Sequence, residues 1–287
     1  MPAIFYLYEL GDVKQDYDKA YELFSYSEDK INYEGIPDHA YLAYMNYMGM
    51  GVEQNQNKGK GLAIELAKKT GARLHVFHLS TGKETELFSN KTPLKDKKIT
   101  AEVCIHHLWF TDEDYEKKGT LIKWNPAVKS SKDRDQLWQA LLDDRIDVIA
   151  TDHAPHTLEE KKNVYTKAPS GGPLVQHALP AMLEMYHRGK ISIEKVVEKM
   201  CHNPAILFQI EKRGFIKEGY FADLVLVDLN NPFTVKKENI LYKCGWSPFE
   251  GTTFKSRITH TFINGNLAFE NSKFHNDKFA KRLTFNR

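Results

Sequence analysis

Apolar positions change their period twice along this chain. Over the first sixty residues they recur at helical spacing. Ala20, Leu23 and Phe24 mark a helix over 17–27, and Ala40, Ala43, Tyr44 and Tyr47 mark another over 38–48 that Gly49 and Gly51 should end. From Gly61 onward, helical segments alternate with apolar runs too short for a helix and rich in β-branched residues. Helices are expected over 62–69, 83–88 and 133–142, and strands over 73–80, 98–107 and 146–150. Alternation of this kind predicts a parallel α/β domain. Amphipathic helices over 174–188 and 193–200 and a further one opening at Asn203-Pro204 should cover it. Beyond Arg213 the pattern becomes strand-like, with a hairpin turn at Asn264-Gly265. The expected division is therefore a helical segment over 1–59, an α/β domain over 60–212, and a small β-domain with a polar tail over 213–287.

The helical segment repeats itself. Val13-Lys-Gln-Asp-Tyr-Asp-Lys-Ala20 recurs as Val52-Glu-Gln-Asn-Gln-Asn-Lys-Gly59 at an offset of thirty-nine residues, a period typical of stacked helix pairs. The stretch from Ala40 to Lys58 resembles a Sel-one-like repeat, a relative of the tetratricopeptide repeats, which implies protein binding through 1–59. One repeat buries too little to stand alone, and an ordinary helical hairpin docked on the next domain is the competing reading.

Forty basic and thirty-eight acidic side chains leave a formal charge of +2, and no stretch gathers enough Lys and Arg for a nucleic-acid footprint. Three widely separated cysteines in no C-x-x-C spacing suggest neither a disulfide framework nor a thiolate zinc site. With no signal peptide and no long apolar span, a soluble cytoplasmic protein that does not engage membranes is expected.

The chemistry concentrates at strand ends. The run Ile146 to Ala150 delivers Asp152, His153 and His156 just past a buried strand, and Pro155 stops it. An acid with imidazoles at that place suits acid-base work or a divalent metal, although Asp-His before proline can also merely cap the next helix. His78, the pair His106 and His107, and Asn125 fall at the ends of earlier runs, so these side chains should converge on one rim. The segment 157–165 reads as charged and solvated. Pro169-Ser-Gly-Gly-Pro173 is a turn whose backbone N–H groups can approach a ligand.

Val76-Phe-His-Leu-Ser-Thr81, Thr100-Ala-Glu-Val-Cys-Ile-His-His-Leu108, Trp124-Asn-Pro126, Asp152-His-Ala-Pro-His156 and Ala168-Pro-Ser-Gly-Gly-Pro173, in that order, resemble the second half of a dihydroorotase of the cyclic amidohydrolases. The resemblance runs from about Gly61 to Arg287, and the stretch Arg213 to Asp228 is similar to the start of the small β-sandwich of that family. What it implies is a two-zinc site on a (β/α)8 barrel that opens dihydroorotate to N-carbamoyl-aspartate in pyrimidine biosynthesis. His78 would be a metal ligand, and Asp152 a ligand and the general base. Asn125 and His156 would hold the substrate ring and its carboxylate, and the Ser170-Gly171 backbone would contact the ring. His106 and His107 are expected behind the ligands or in packing, His75 in packing or at the surface, His153 oriented by Asp152, and Asp223 in a turn. A hydantoinase or allantoinase is the nearest alternative, and a non-catalytic interaction protein using the helical segment is the alternative of another class.

The resemblance also has a gap. The family's first-strand H-x-H pair, its acid or carboxylated lysine, its fifth-strand histidine and its carboxylate-binding arginine have no counterpart in residues 1–60, where His39 is the sole histidine. The expected fold is an incomplete (β/α)8 barrel of about three strands, and the expected activity an impaired one, because two retained ligands are fewer than the three or four protein ligands that zinc takes. A dihydroorotase C-terminal portion joined to a repeat segment accounts for the pattern.

Overall fold

The computed structural model describes residues 7, 14–26, 38–53, 55–275 and 280–286. They form two compact units, 1–76 and 77–287.

In the first unit, α1 (Tyr17–Tyr26) and α2 (Asp38–Met48) make a helical hairpin. Phe24 stacks on Tyr41 with ring centroids 4.6 Å apart, and Asn46 donates to the Tyr21 hydroxyl at 3.3 Å, so the two helices run antiparallel. Ala20, Leu42 and Met45 complete the core, with Leu23 at its edge. Ala43 turns its carbonyl toward the next helix, where a Cβ on Gly59 would stand 2.7 Å from it. Gly59, which lacks a Cβ, allows that approach from within a continuous helix, α3 (Gln56–Thr70), capped by Asn55 and ended by Gly71 at φ +70°. The boundary expected at 59/60 therefore falls within a helix. Val13 and Ser27 of the sequence pattern, and the side chain of His39, lie outside the described residues. The unit ends in the short strand β1 (Leu74–Val76).

The second unit opens with the segment carrying His78, then β2 (Ile99–Cys104), which pairs in parallel with β3 (Val148–Ala150); Glu102 lies opposite Val148 and Cys104 opposite Ala150. Both faces of β2 are buried, as a parallel strand requires. Its N-terminal side is tied to the segment before β3 by Asp147, whose carboxylate accepts from Lys97 Nζ at 2.7 Å and from Ala101 N at 3.0 Å. Lys199, buried in the helical cover, donates to Ile146 O at 2.7 Å and to Asp144 at 2.8 Å.

Two expected strand ends are different elements. β2 stops at Cys104 and the chain turns directly into α4 (Ile105–Trp109), which carries His106 and His107. The segment before Asn125 is a 3-10 turn, Gly119–Ile122, opened by Gly119 at φ +50°. The stretch 157–165, expected to be solvated, holds a single helical turn, α5 (Leu158–Lys161), with a Thr157–Glu160 capping box and a fully buried Lys161.

The C-terminal part of the unit is a four-stranded antiparallel sheet in sequence order: β4 (Leu224–Asp228), β5 (Arg257–Ile263), β6 (Asn266–Glu270) and β7 (Lys273–Phe274). Asn264 and Gly265 form the β5–β6 turn with φ of +51° and +82°, the left-handed pair that a two-residue hairpin demands. Asp223 accepts from Asn264 N at 2.8 Å and pairs with Arg213, so it does fix this turn. No helix among the described residues is long and apolar enough to cross a membrane.

Candidate active site

His78 and Asp152 each sit two residues beyond a strand, and each has a left-handed backbone, with φ of +54° and +47°. Asp and His tolerate that region better than most residues, and such conformations gather at functional sites. The turn brings His78 Nε2 to 3.6 Å from Asp152 Oδ1. On the other side of the ring, Nδ1 lies 2.6 Å from Glu102 Oε1 and 3.1 Å from Cys104 Sγ. Glu102 is nearly buried, with its side chain 8% exposed, whereas His78 and Asp152 keep 22% and 25%. The carboxylate behind the ring therefore holds Nδ1 and leaves Nε2 facing the open side beside Asp152. Burial, reinforced by the charges of Glu102 and Asp152, pushes the Cys104 thiol well above its usual range, so it stands there as S–H.

Two protein ligands bound to one cation at about 2.0–2.2 Å stand roughly 3.3 Å apart. His78 Nε2 and Asp152 Oδ1 fit that spacing and that donor chemistry. Among the described residues no group of three donor side chains includes Asp152. The pair fits one edge of a single metal ion and does not by itself fit a complete dinuclear centre.

A second set of expected residues meets at the glycine turn. His156 Nε2 donates to Ser170 O at 3.0 Å. Gly171 has φ +123°, and a Cβ there would stand 2.5 Å from Ala154 O, so no other residue fits without displacement. The turn is held from beneath by Lys161, whose Nζ donates to Lys123 O at 3.2 Å, Pro169 O at 2.9 Å and Gly171 O at 2.8 Å. Burial and the nearby Lys123 charge lower the Lys161 pKa to about 8. Trp246 Nε1 donates to His156 O at 2.8 Å and fixes the other strand of the loop. Asn125 is exposed, on the loop that follows buried Trp124.

His153 is not oriented by Asp152: its Nδ1 accepts from Leu174 N at 3.0 Å and Val175 N at 3.3 Å. Glu102 and Lys161 were not singled out by residue type or spacing. A carboxylate in the middle of a strand buried on both faces is itself a signal, because it needs a partner. Lys161 offers no such signal, since its burial depends on loops more distant in sequence.

A model of the amidohydrolase family matches residues 52–268. The dihydroorotase of Endomicrobium trichonymphae is 35% identical over 89% of this chain and 61% of its own length, and that of Halobacterium salinarum 39% identical over 66% of this chain and 43% of its own. Among solved structures, the L-hydantoinase (dihydropyrimidinase) from Arthrobacter aurescens superposes with a TM-score of 0.70 at 27% identity, covering 88% of this chain and 56% of that one. The chain thus spans about two-fifths to three-fifths of the length of these relatives.

Proposed function

The chain belongs to the amidohydrolase family, and from that premise we propose that it carries the later half of a dihydroorotase-type site, in which Asp152 is the general base and His78 and Asp152 are metal ligands. The observation that carries this reading is the 3.6 Å approach of His78 Nε2 to Asp152 Oδ1, with Glu102 holding the far side of the imidazole.

A divalent cation, when bound, supplies the positive charge that acidifies an attacking water toward neutrality. Asp152 takes the proton from that water as its oxygen bonds to the ring amide carbon, then returns it to the ring nitrogen as the C–N bond breaks. His156 and Asn125 hold the ring and its carboxylate, and the Ser170–Gly171 backbone contacts the ring. Zinc is the proposed ion. With two donors on this chain the site turns over poorly unless further ligands reach it. Dihydroorotate is favoured over a hydantoin because the relatives named dihydroorotase share 35% and 39% identity with this chain, against 27% for the hydantoinase.

Calorimetric titration separates the two substrates. Dihydroorotate is expected to bind the chain with a dissociation constant of about a millimolar, worth roughly 4 kcal/mol, and His156→Ala should weaken it severalfold. Equal binding of a hydantoin that lacks the carboxylate would overturn the substrate assignment. A second expectation concerns Glu102. Changing it to Gln removes the charge that orients His78, and zinc affinity measured by chelator competition should fall about 10–100-fold. Unchanged affinity would remove Glu102 from the site.

A further inference from the structure

Beside the His78–Asp152 pair lies a group of donors that ring opening does not use. Because β2 ends at Cys104 and α4 begins at once, Cys104, His106 and His107 are wound close together, and one donor atom from each lies within 4.8 Å of the others. All three side chains are buried, with His106 at 0% exposure. Both ring nitrogens of His106 and Nδ1 of His107 have no hydrogen-bond partner. His107 Nε2 lies 3.0 Å from Pro126 O, which makes it the N–H donor and leaves Nδ1 as a lone pair. His106 lies flat on Trp124, ring centroids 4.2 Å apart, and 4.1 Å from the His107 ring.

Burial of an imidazole with neither nitrogen paired forfeits the hydrogen bonds that water gives it, and buried polar side chains in folded proteins are nearly always satisfied. Packing alone does not explain His106, since a phenylalanine would stack on Trp124 at no such cost.

We propose that Cys104, His106 and His107 form a second metal site, a buried three-donor set for one thiophilic closed-shell cation of the Zn2+ or Cu+ class, distinct from the pair formed by His78 and Asp152. One sulfur and two imidazoles make a soft donor set that selects such ions over Mg2+ or Ca2+. Tetrahedral ligands bound at about 2.0–2.3 Å stand roughly 3.3–3.8 Å apart, so donors that lie within 4.8 Å of one another need to close by about 1.5 Å at most. On binding, the Cys104 S–H bond gives its proton to solvent and the sulfur bonds the metal.

The test uses Co2+ as a spectroscopic probe in the full chain carrying His78→Ala and Asp152→Ala, so that its outcome does not depend on the proposed reaction centre. One equivalent should bind with a thiolate-to-cobalt charge-transfer absorption in the near ultraviolet. Adding Cys104→Ser should abolish that band. His106→Phe, which keeps a ring stacked on Trp124, should weaken binding at least about a hundredfold while the far-ultraviolet circular dichroism stays unchanged. Zn2+ and Cu+ are then titrated against the bound Co2+, and the ion that displaces it at lower free concentration identifies the preferred occupant. No thiolate band in the doubly substituted chain would overturn the proposal, as would a band that survives His106→Phe at full affinity. A band present in the unsubstituted chain but lost with His78→Ala would likewise overturn it, because Cys104 would then serve His78 instead.

Discussion

Replacing Asp147 with alanine is expected to destabilise the protein by about 3–5 kcal/mol, the range for a buried ion pair that loses one partner. The reason is local. Lys97 and Asp147 are both nearly buried, their side chains 6% and 3% exposed, and Lys97 Nζ has Asp147 Oδ1 at 2.7 Å. Asp147 also holds Ala101 N, so the substitution strips a backbone bond from the start of β2 while leaving an ammonium with the Asp144 carbonyl as its remaining close partner among the described contacts. Urea denaturation measures the loss. Because the cost arises from the uncompensated charge, adding Lys97→Met to Asp147→Ala should recover part of it. A double variant no more stable than Asp147→Ala would mean that the backbone bond, not the charge, carries the effect.

Lys161→Met should cost about 2–4 kcal/mol, since it leaves the carbonyls of Lys123, Pro169 and Gly171 without a charged donor, and each buried acceptor left unpaired costs about 1–3 kcal/mol less what the removed buried charge returns. The turn that carries Ser170 and Gly171 should loosen with it, which hydrogen exchange at Gly171 N would register. This site also carries a pH signature. The folded Lys161 pKa is lowered to about 8, against about 10.4 for an unperturbed lysine. Below pH 8 both folded and unfolded states hold the proton and the contribution is flat. Between about pH 8 and 10.4 the unfolded state binds more protons, so stability rises with pH. The stability difference between the unsubstituted protein and Lys161→Met should therefore widen across that window. A difference that narrows there would show that the ammonium charge itself is what the carbonyls require.

These two lysines show where reading the chain stops. Local rules carry the hairpin at Asn264-Gly265, the helix end at Gly71 and the buried strand Val148–Ala150, because turn chemistry and β-branched runs act over a few residues. The meeting of His78 with Asp152 was also legible, since each follows an apolar run by a fixed step. What the pattern missed was decided by distant neighbours. Alternation continues from Ile99 to His107, yet the strand ends at Cys104, because His106 packs on Trp124 from a loop about eighteen residues on. Leu121 to Trp124 is apolar enough for a strand, but a 3-10 turn opened by Gly119 takes up its start. Lys161 lies among charged residues and is nevertheless buried, because three carbonyls converge on it.

On the reading proposed above, this chain joins His78 and Asp152 as part of a cyclic-amidohydrolase site, and no group of three donors among the described residues completes that pair. The most direct test is the ring opening of dihydroorotate by the purified chain with zinc added, measured against Asp152→Ala. The expected result is no turnover above that variant, because groups that act as a unit in catalysis fail together when some are missing. Turnover well above Asp152→Ala, abolished both by a chelator and by His78→Ala, would contradict the claim and show that the chain completes its own metal centre.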